Sequence, residues 1–187
     1  MFTKTYDAAN RMVTYSDGAG HTRTYEYDAA DRNTKVTDEN SAVTTMTYNA
    51  AGKMKTLSDV LGETITFTYD ALNRVVSSTD SIGTTSKTYD ENGNVLTITD
   101  AKSQVTTYEY DKLNRKTKET TADSKETTME YDAKGRLTKK TFDAGGEISF
   151  SYDGLDRMVK KTLPDMSEEL FTYTPMGRPL TTGALVQ

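Results

Sequence analysis

The segment Tyr131-Asp132-Ala133-Lys134-Gly135-Arg136-Leu137 contains the signals of a tight β-hairpin. A three-residue hairpin loop combines a type I turn with one left-handed residue, which makes a bulge. Here the loop is Ala-Lys-Gly, with Gly135 at the left-handed position. Asp132 stands at the first turn position, where its carboxylate can accept backbone N–H bonds. Because Asp132 and Arg136 flank the loop on facing strands, the segment predicts two antiparallel strands joined here.

The same segment recurs along the chain with a period of 21 residues, shortened once to 20 between Tyr69 and Tyr89. Internal repeats of this length are typical of arrays built from one supersecondary unit. We expect these repeat positions to be structural: Tyr6, Asp7, Arg11, Tyr27, Asp28, Arg32, Tyr48, Gly52, Tyr69, Asp70, Arg74, Tyr89, Asp90, Gly93, Tyr110, Asp111, Arg115, Tyr131, Asp132, Gly135, Arg136, Tyr152, Asp153, Arg157, Tyr173, Gly177 and Arg178.

Two further patterns complete each repeat. A second turn follows each hairpin, as in Ser16–Gly20 and Ser58–Gly62, and alternation in Thr64–Tyr69 places Ile, Phe and Tyr on one strand face. Left-handed φ angles are predicted at Asn10, Asn73, Asn114, Gly52, Gly93, Gly135 and Gly177. The hairpin register makes Tyr face an apolar residue in these pairs: Tyr6–Met12, Tyr48–Met54, Tyr69–Val75, Tyr89–Val95, Tyr131–Leu137 and Tyr152–Met158.

Composition excludes several classes of protein. Hydrophobic residues make up 34% of the chain, so a deep conventional core is not expected. The net charge is -5 without a basic block, which disfavours nucleic-acid binding. The chain has no Cys, which excludes disulfides and thiolate sites, and no apolar run is long enough to span a membrane. The residues Met1–Tyr6 do not have a signal-peptide pattern.

Together these patterns predict an all-β protein made of tandem antiparallel β-hairpin repeats, with helix below ~10%. Residues 1–187 form a single array of about nine repeats. Because open twisted sheets rarely exceed ~10 strands without curling, the array is expected to form one long, curled or spiralling sheet. Such a sheet would be a partial shell, or barrel-like if it closed.

One repeat is irregular, because the 20-residue interval places one residue fewer between Asp80 and Tyr89. A one-residue loss within a strand would turn every following side chain to the opposite face. The motif returns intact at Tyr89, so the loss is absorbed earlier. We expect a shorter strand, a lost bulge or a shifted turn near Gly83, and the weakest packing of any hairpin at residues 83–88.

The motif Tyr-Asp-x-x-Gly/Asn/Asp-Arg, repeated in phase, resembles the Rhs or YD-repeat family, with Tyr69–Val75, Tyr131–Leu137 and Tyr152–Met158 as good copies. The family includes bacterial polymorphic toxins, the C component of insecticidal toxin complexes and teneurins. The resemblance implies a spiralling β-sheet shell that encloses a toxin in bacterial members, and a secreted or cell-surface location. It also implies carbohydrate binding in some members.

The function expected from this resemblance is a structural shell segment of a larger secreted or cell-surface protein of the toxin-encapsulating type. Its partners would be the rest of the parent shell and an enclosed toxin domain. The alternative is a carbohydrate-binding or adhesive module, in which exposed Tyr rings stack on sugars. Buried rings favour the shell and solvent-facing rings favour the module.

We expect neither an enzyme nor a cofactor or metal site. The Asp–Arg pairs recur at nearly every turn, whereas a catalytic pair needs one special environment. His21 is a single imidazole, and the acidic turns Asp17–Gly20 and Asp38–Asn40 lack the ligand series of a calcium loop. Phe2, Leu180 and the Ala184–Val186 tail mark two apolar ends, which predict edge-to-edge self-association.

Overall fold

The computed structural model describes the backbone of residues 2–186 and the side chains of residues 2–180. Every regular element in the described residues is a β-strand, and none of these residues forms a helix. The all-β prediction is therefore confirmed. In particular, no helix that could cross a membrane occurs in the part of the chain that the structure describes.

Two compact units divide the chain. The first contains residues up to Lys87 together with Asp100–Lys102, and the second contains Thr88–Thr99 and the residues from Ser103 onward. Strands of the first unit are β1 (Thr3–Tyr6), β2 (Met12–Ser16), β3 (Thr22–Tyr27), β4 (Asn33–Thr37), β5 (Val43–Tyr48), β6 (Met54–Ser58), β7 (Thr64–Tyr69), β8 (Val75–Thr79) and the larger part of β9 (Thr84–Tyr89).

The second unit contains the remaining strands, which are five to eight residues long. They are β10 (Val95–Thr99), β11 (Val105–Tyr110), β12 (Lys116–Thr120), β13 (Glu126–Tyr131), β14 (Leu137–Phe142), β15 (Glu147–Tyr152), β16 (Met158–Thr162), β17 (Glu168–Tyr173) and β18 (Pro179–Val186). Consecutive strands pair antiparallel from β1 to β9 in the first unit and from β10 to β18 in the second. The tandem hairpins of the prediction are thus confirmed.

The register of the motif hairpins follows the predicted loop. Tyr131 pairs with Leu137, and the register shifts between Glu130 and Tyr131, where the bulge lies. The predicted facing pairs at Tyr6, Tyr48, Tyr69 and Tyr152 are confirmed as well. The pairing of Tyr89 with Val95 stays a prediction.

Backbone conformation at the loops agrees with the sequence. Every residue predicted to be left-handed has a positive φ, between 61° at Asn114 and 91° at Gly93. Outside the shortened turn at Gly83, the second turn of the repeat uses the same design, which was not predicted from the sequence. In this turn Ser41, Ser103, Ser124 and Met166 take positive φ angles.

No residue in the described part is buried, as the composition led us to expect. The Tyr side chains of the motif are half-buried, apart from Tyr6, which is 53% exposed. Because no described residue is deeply buried, cross-strand and inter-repeat contacts must stabilise the sheet.

The irregular repeat absorbs its missing residue in the turn. Strand β9 has six residues and the same burial pattern as β7, so of the three alternatives the shorter strand does not occur. Four residues separate β8 from β9, and the Asp80 N–H donates to the Gly83 carbonyl over 3.0 Å. The expected shift of the turn at Gly83 is therefore confirmed. Weaker packing of residues 83–88 stays a prediction.

Candidate functional site

The repeated motif positions form a contact between successive hairpins, and the copy at Asp132 shows its construction. Asp132 begins the loop, and one of its carboxylate oxygens accepts the backbone N–H groups of Lys134 and Arg136, each at 2.9 Å. The other oxygen accepts the Nε and Nη2 hydrogens of Arg136, both at 2.7 Å. One carboxylate thus fixes the turn and the guanidinium together, which explains the spacing of Asp and Arg in the motif.

Arg136 then reaches the next hairpin. Its guanidinium carbon lies 4.6 Å from the centre of the Tyr152 ring, and its Nη1 donates to the Asp153 carbonyl over 3.4 Å. The Tyr152 hydroxyl donates back to the Leu137 carbonyl at 2.8 Å. We call this set of contacts the inter-repeat junction. It is made by Asp132, Arg136, Tyr152 and Asp153, and by the equivalent residues of other repeats.

Equivalent junctions occur in both units. In each, an Arg lies over the Tyr ring of the following repeat at 4.7 to 5.0 Å, and the pairs are Arg11–Tyr27, Arg32–Tyr48, Arg115–Tyr131 and Arg157–Tyr173. The back-donation from the Tyr hydroxyl to a carbonyl of the preceding repeat also occurs at Tyr27, Tyr48, Tyr69, Tyr110, Tyr131 and Tyr173.

Electrostatics favour the ionised junction. The Arg115 side chain, which donates hydrogen bonds to Asp111, lowers the pKa of that carboxyl, and Arg157 has the same effect on the pKa of Asp153. The pKa of Asp132 is lowered first by the hydrogen bond from the Arg136 backbone N–H. Each carboxylate therefore stays charged at neutral pH and is occupied by its own turn.

Some repeats depart from this arrangement. Lys53 follows Asn49, and its backbone N–H donates to the Asn49 amide oxygen at 2.9 Å. Arg178 follows Thr174, whose hydroxyl oxygen accepts the Arg178 backbone N–H at 3.0 Å. In the Asp90 repeat, Asn94 replaces the Arg.

Sequence reasoning found the Asp–Arg pair but missed the Arg–Tyr stacking. The pair is local, whereas the stacking depends on how one hairpin lies against the next. The signal that could have revealed this is the recurring offset of 16 residues between an Arg and the Tyr of the following repeat, which shortens to 15 from Arg74 to Tyr89.

A separate open pocket of the first unit is lined by Phe2, Tyr15, Asp17, His21, Arg23 and Glu39. Phe2 and Tyr15 stack with their centres 6.1 Å apart, and His21 Nδ1 is 2.8 Å from the Asp17 carboxylate. Hydrogen bonding to Asp17 raises the pKa of His21. Among the described residues, no group of three or more His, Asp or Glu side chains is arranged to hold a metal ion.

Comparison with known proteins gives one family and several structures. The family described as RHS Repeat matches residues 6–43, 48–85, 89–126 and 131–165. The crystal structure of TcdB2-TccC3-TEV is 17% identical with a TM-score of 0.78, and the match covers 95% of this chain and 11% of that chain. The Photorhabdus luminescens Tc holotoxin pore is 15% identical with a TM-score of 0.66, covering 96% of this chain and 13% of that chain.

A third structure, TcdB2-TccC3 without its hypervariable C-terminal region, is 14% identical, with a TM-score of 0.78 over 95% of this chain and 11% of that chain. No curated protein matches this chain. The chain thus spans between 11% and 13% of the length of the structures that it matches. At these identities the likeness shows a shared fold.

Proposed function

The chain belongs to the RHS repeat family, and we propose that it is a structural segment of the β-sheet shell of a larger secreted or cell-surface protein that encloses a toxin. The observation that carries the proposal is the inter-repeat junction. Its Arg–Tyr contact recurs at 4.6 to 5.0 Å for Arg11, Arg32, Arg115, Arg136 and Arg157, as expected of a wall that is extended by adding similar units.

The state of the charged groups supports a structural role over a catalytic one. Asp28, Asp111 and Asp153 each accept hydrogen bonds from their own turn and from the Arg that follows. A general acid or base must instead be able to exchange a proton with a substrate near the working pH. The lowered pKa of these carboxyls disfavours that exchange.

The Tyr rings support the shell over the carbohydrate-binding module. A sugar would stack on a ring face, but the guanidinium groups of Arg115, Arg136 and Arg157 already lie over the following rings. The rings are also half-buried. A glycan would therefore have to displace an ion-paired Arg at each of these positions.

Limited proteolysis of the parent protein that carries this array, with a cleavage site placed in its toxin segment, tests the proposal. We expect the site to resist protease under native conditions and to be cut once urea unfolds the shell. Replacing Arg136 and Arg157 together with Gln should speed cutting, because two junctions are lost. The control is Lys134→Gln, which removes an exposed loop-tip contact to Asp156. Cutting at one rate in native and unfolded protein would contradict enclosure.

A further inference from the structure

The guanidinium of Arg136 lies in a cradle of acceptors. The cradle consists of the Asp132 carboxylate, the Asp153 carbonyl, the Asp156 carboxylate at 2.6 Å and the face of the Tyr152 ring. The Arg136 side chain remains 25% exposed, so the cradle is open to solvent. Such a planar group with several donors suits acceptors placed around its edge and an aromatic ring against its face.

The Asp90 repeat has the same cradle without an Arg. Its corresponding groups are the Asp90 carboxylate, the Asp111 carbonyl, the Asn114 amide oxygen and the Tyr110 ring. Asn94 stands at the Arg position, and its Nδ2 donates to Asp90 and to Asn114, at 2.8 Å each. All five residues belong to the second unit.

Asn94 brings fewer donors to the cradle than the Arg of the other repeats. An Arg offers five N–H donors, whereas an Asn side chain offers two, and both are used. The Asp111 carbonyl accepts the Asn114 N–H at 3.0 Å, and the equivalent carbonyls of Asp28 and Asp153 also accept an Arg Nη1 hydrogen. Within the described residues, no Lys or Arg lies over the Tyr110 ring, although Lys116 Nζ lies 5.1 Å from the Tyr108 ring centre.

We propose that this cradle is a binding site for a guanidinium group supplied by another polypeptide, that is, for an Arg side chain of a partner segment. The chain itself shows what such a cradle binds, because its other copies hold a guanidinium. A compact ammonium would satisfy the charge but could not contact the carboxylate, the carbonyl and the ring together. The inference goes beyond the shell role, since it assigns one repeat to partner recognition.

The first unit provides an internal comparison at Asn49 and Lys53. There the neutral Asn49 replaces the carboxylate, so a charge-assisted hydrogen bond to an incoming guanidinium is not available. Tyr69 follows this repeat as Tyr110 follows the Asp90 repeat. Its ring therefore serves as the reference for nonspecific binding.

The experiment is an NMR titration of the full chain with methylguanidinium chloride, with N-acetylarginine amide and with methylammonium chloride, at constant ionic strength. We expect saturable shifts of the Tyr110 ring and of the Asn94 and Asn114 side-chain amides, with a dissociation constant on the order of 1 mM for the guanidinium probes. Methylammonium should bind about tenfold more weakly. The Tyr69 ring should show no saturable shift.

Two variants decide the assignment. Asn94→Arg should fill the cradle from within and abolish the saturable shift, and Asp90→Asn should weaken binding by about tenfold. Asn92→Ala, at the exposed loop tip, is the matched control and should bind as the original chain does. Linear shifts, equal shifts at Tyr69 and Tyr110, or undiminished binding by Asp90→Asn would each overturn the proposal. The Asp90→Asn result decides on its own if Asn94→Arg does not fold.

Discussion

At Gly135 the backbone φ is +86°, in a region where a Cβ atom is strained. An added Cβ would lie 3.7 Å from Arg115 Nη1, an ordinary contact, so the cost of a side chain here comes from the backbone. We expect Gly135→Val to lower the free energy of unfolding by about 1–2 kcal/mol, measured in urea. Gly154→Val is the control, because φ of Gly154 lies outside that region and its Cβ direction is open. Equal losses in the two variants would contradict the assigned turn.

Asn33 occupies the position that faces Tyr27, where neighbouring repeats have Met12 and Met54. Its side-chain oxygen is shielded from solvent and accepts no hydrogen bond. An unsatisfied polar atom of this kind costs about 1–3 kcal/mol. We therefore expect Asn33→Met to raise the free energy of unfolding by about 1 kcal/mol. Asn49→Met, in a turn of the same unit, is the control and should not stabilise the protein, because the Asn49 amide oxygen already accepts a hydrogen bond. A loss of stability in Asn33→Met would refute the prediction.

Acid should destabilise the array through its turn carboxylates. The pKa of Asp28, Asp111 and Asp153 is lowered in the folded protein, chiefly by side-chain hydrogen bonds from the following Arg. Because the folded pKa lies below the unfolded value, this stability is present above about pH 3.9 and is lost as the pH falls through the folded pKa. Urea midpoints should therefore fall below about pH 4. Asp153→Asn should reduce the dependence of the urea midpoint on pH. A midpoint that does not change on acidification would contradict this prediction.

At the scale of the element, strands and motif turns were predictable because their signals are local. The alternation in Thr64–Tyr69 and the Asp132–Arg136 spacing each act within one hairpin. The inter-repeat junction was not predictable in the same way, since its Arg–Tyr contact depends on the placement of two hairpins. The sequence also left open whether the irregular repeat shortens β9 or its turn, because a missing residue can be removed from a turn without disturbing the strand.

The turn at Gly83 should accept one residue where the strand does not. Inserting Glu between Gly83 and Thr84 recreates the spacing of Asp59–Glu63, so we expect stability to change by less than about 0.5 kcal/mol. Inserting Thr after Thr85 instead turns the end of β9 to the opposite face and should cost about 1–3 kcal/mol. Urea unfolding and amide exchange at Lys87 compare the two. If the turn insertion lowers the free energy of unfolding more than the strand insertion does, the turn is not the site that tolerates an extra residue.

At the scale of the whole molecule, an array of hairpins ends in strand edges, which present unpaired N–H and C=O groups. Phe2 is 70% exposed and Leu180 is 65% exposed, whereas the side chains of the predicted Ala184–Val186 tail lie outside the described residues. We expect the isolated chain to self-associate at high concentration, with a mass that rises with concentration in light scattering. Phe2→Lys should reduce the association. A strict monomer at millimolar concentration would refute it.

The inter-repeat junction has a direction. Its guanidinium always belongs to the earlier hairpin and its aromatic ring to the later one, as with Arg136 and Tyr152. The ribosome therefore synthesises the hairpin that carries the guanidinium before the hairpin whose Tyr ring packs against it. Because each contact joins neighbours in sequence, an emerging repeat can settle on the one already folded without waiting for the rest of the chain. The sheet can thus fold during translation, one repeat after another, starting from the amino terminus.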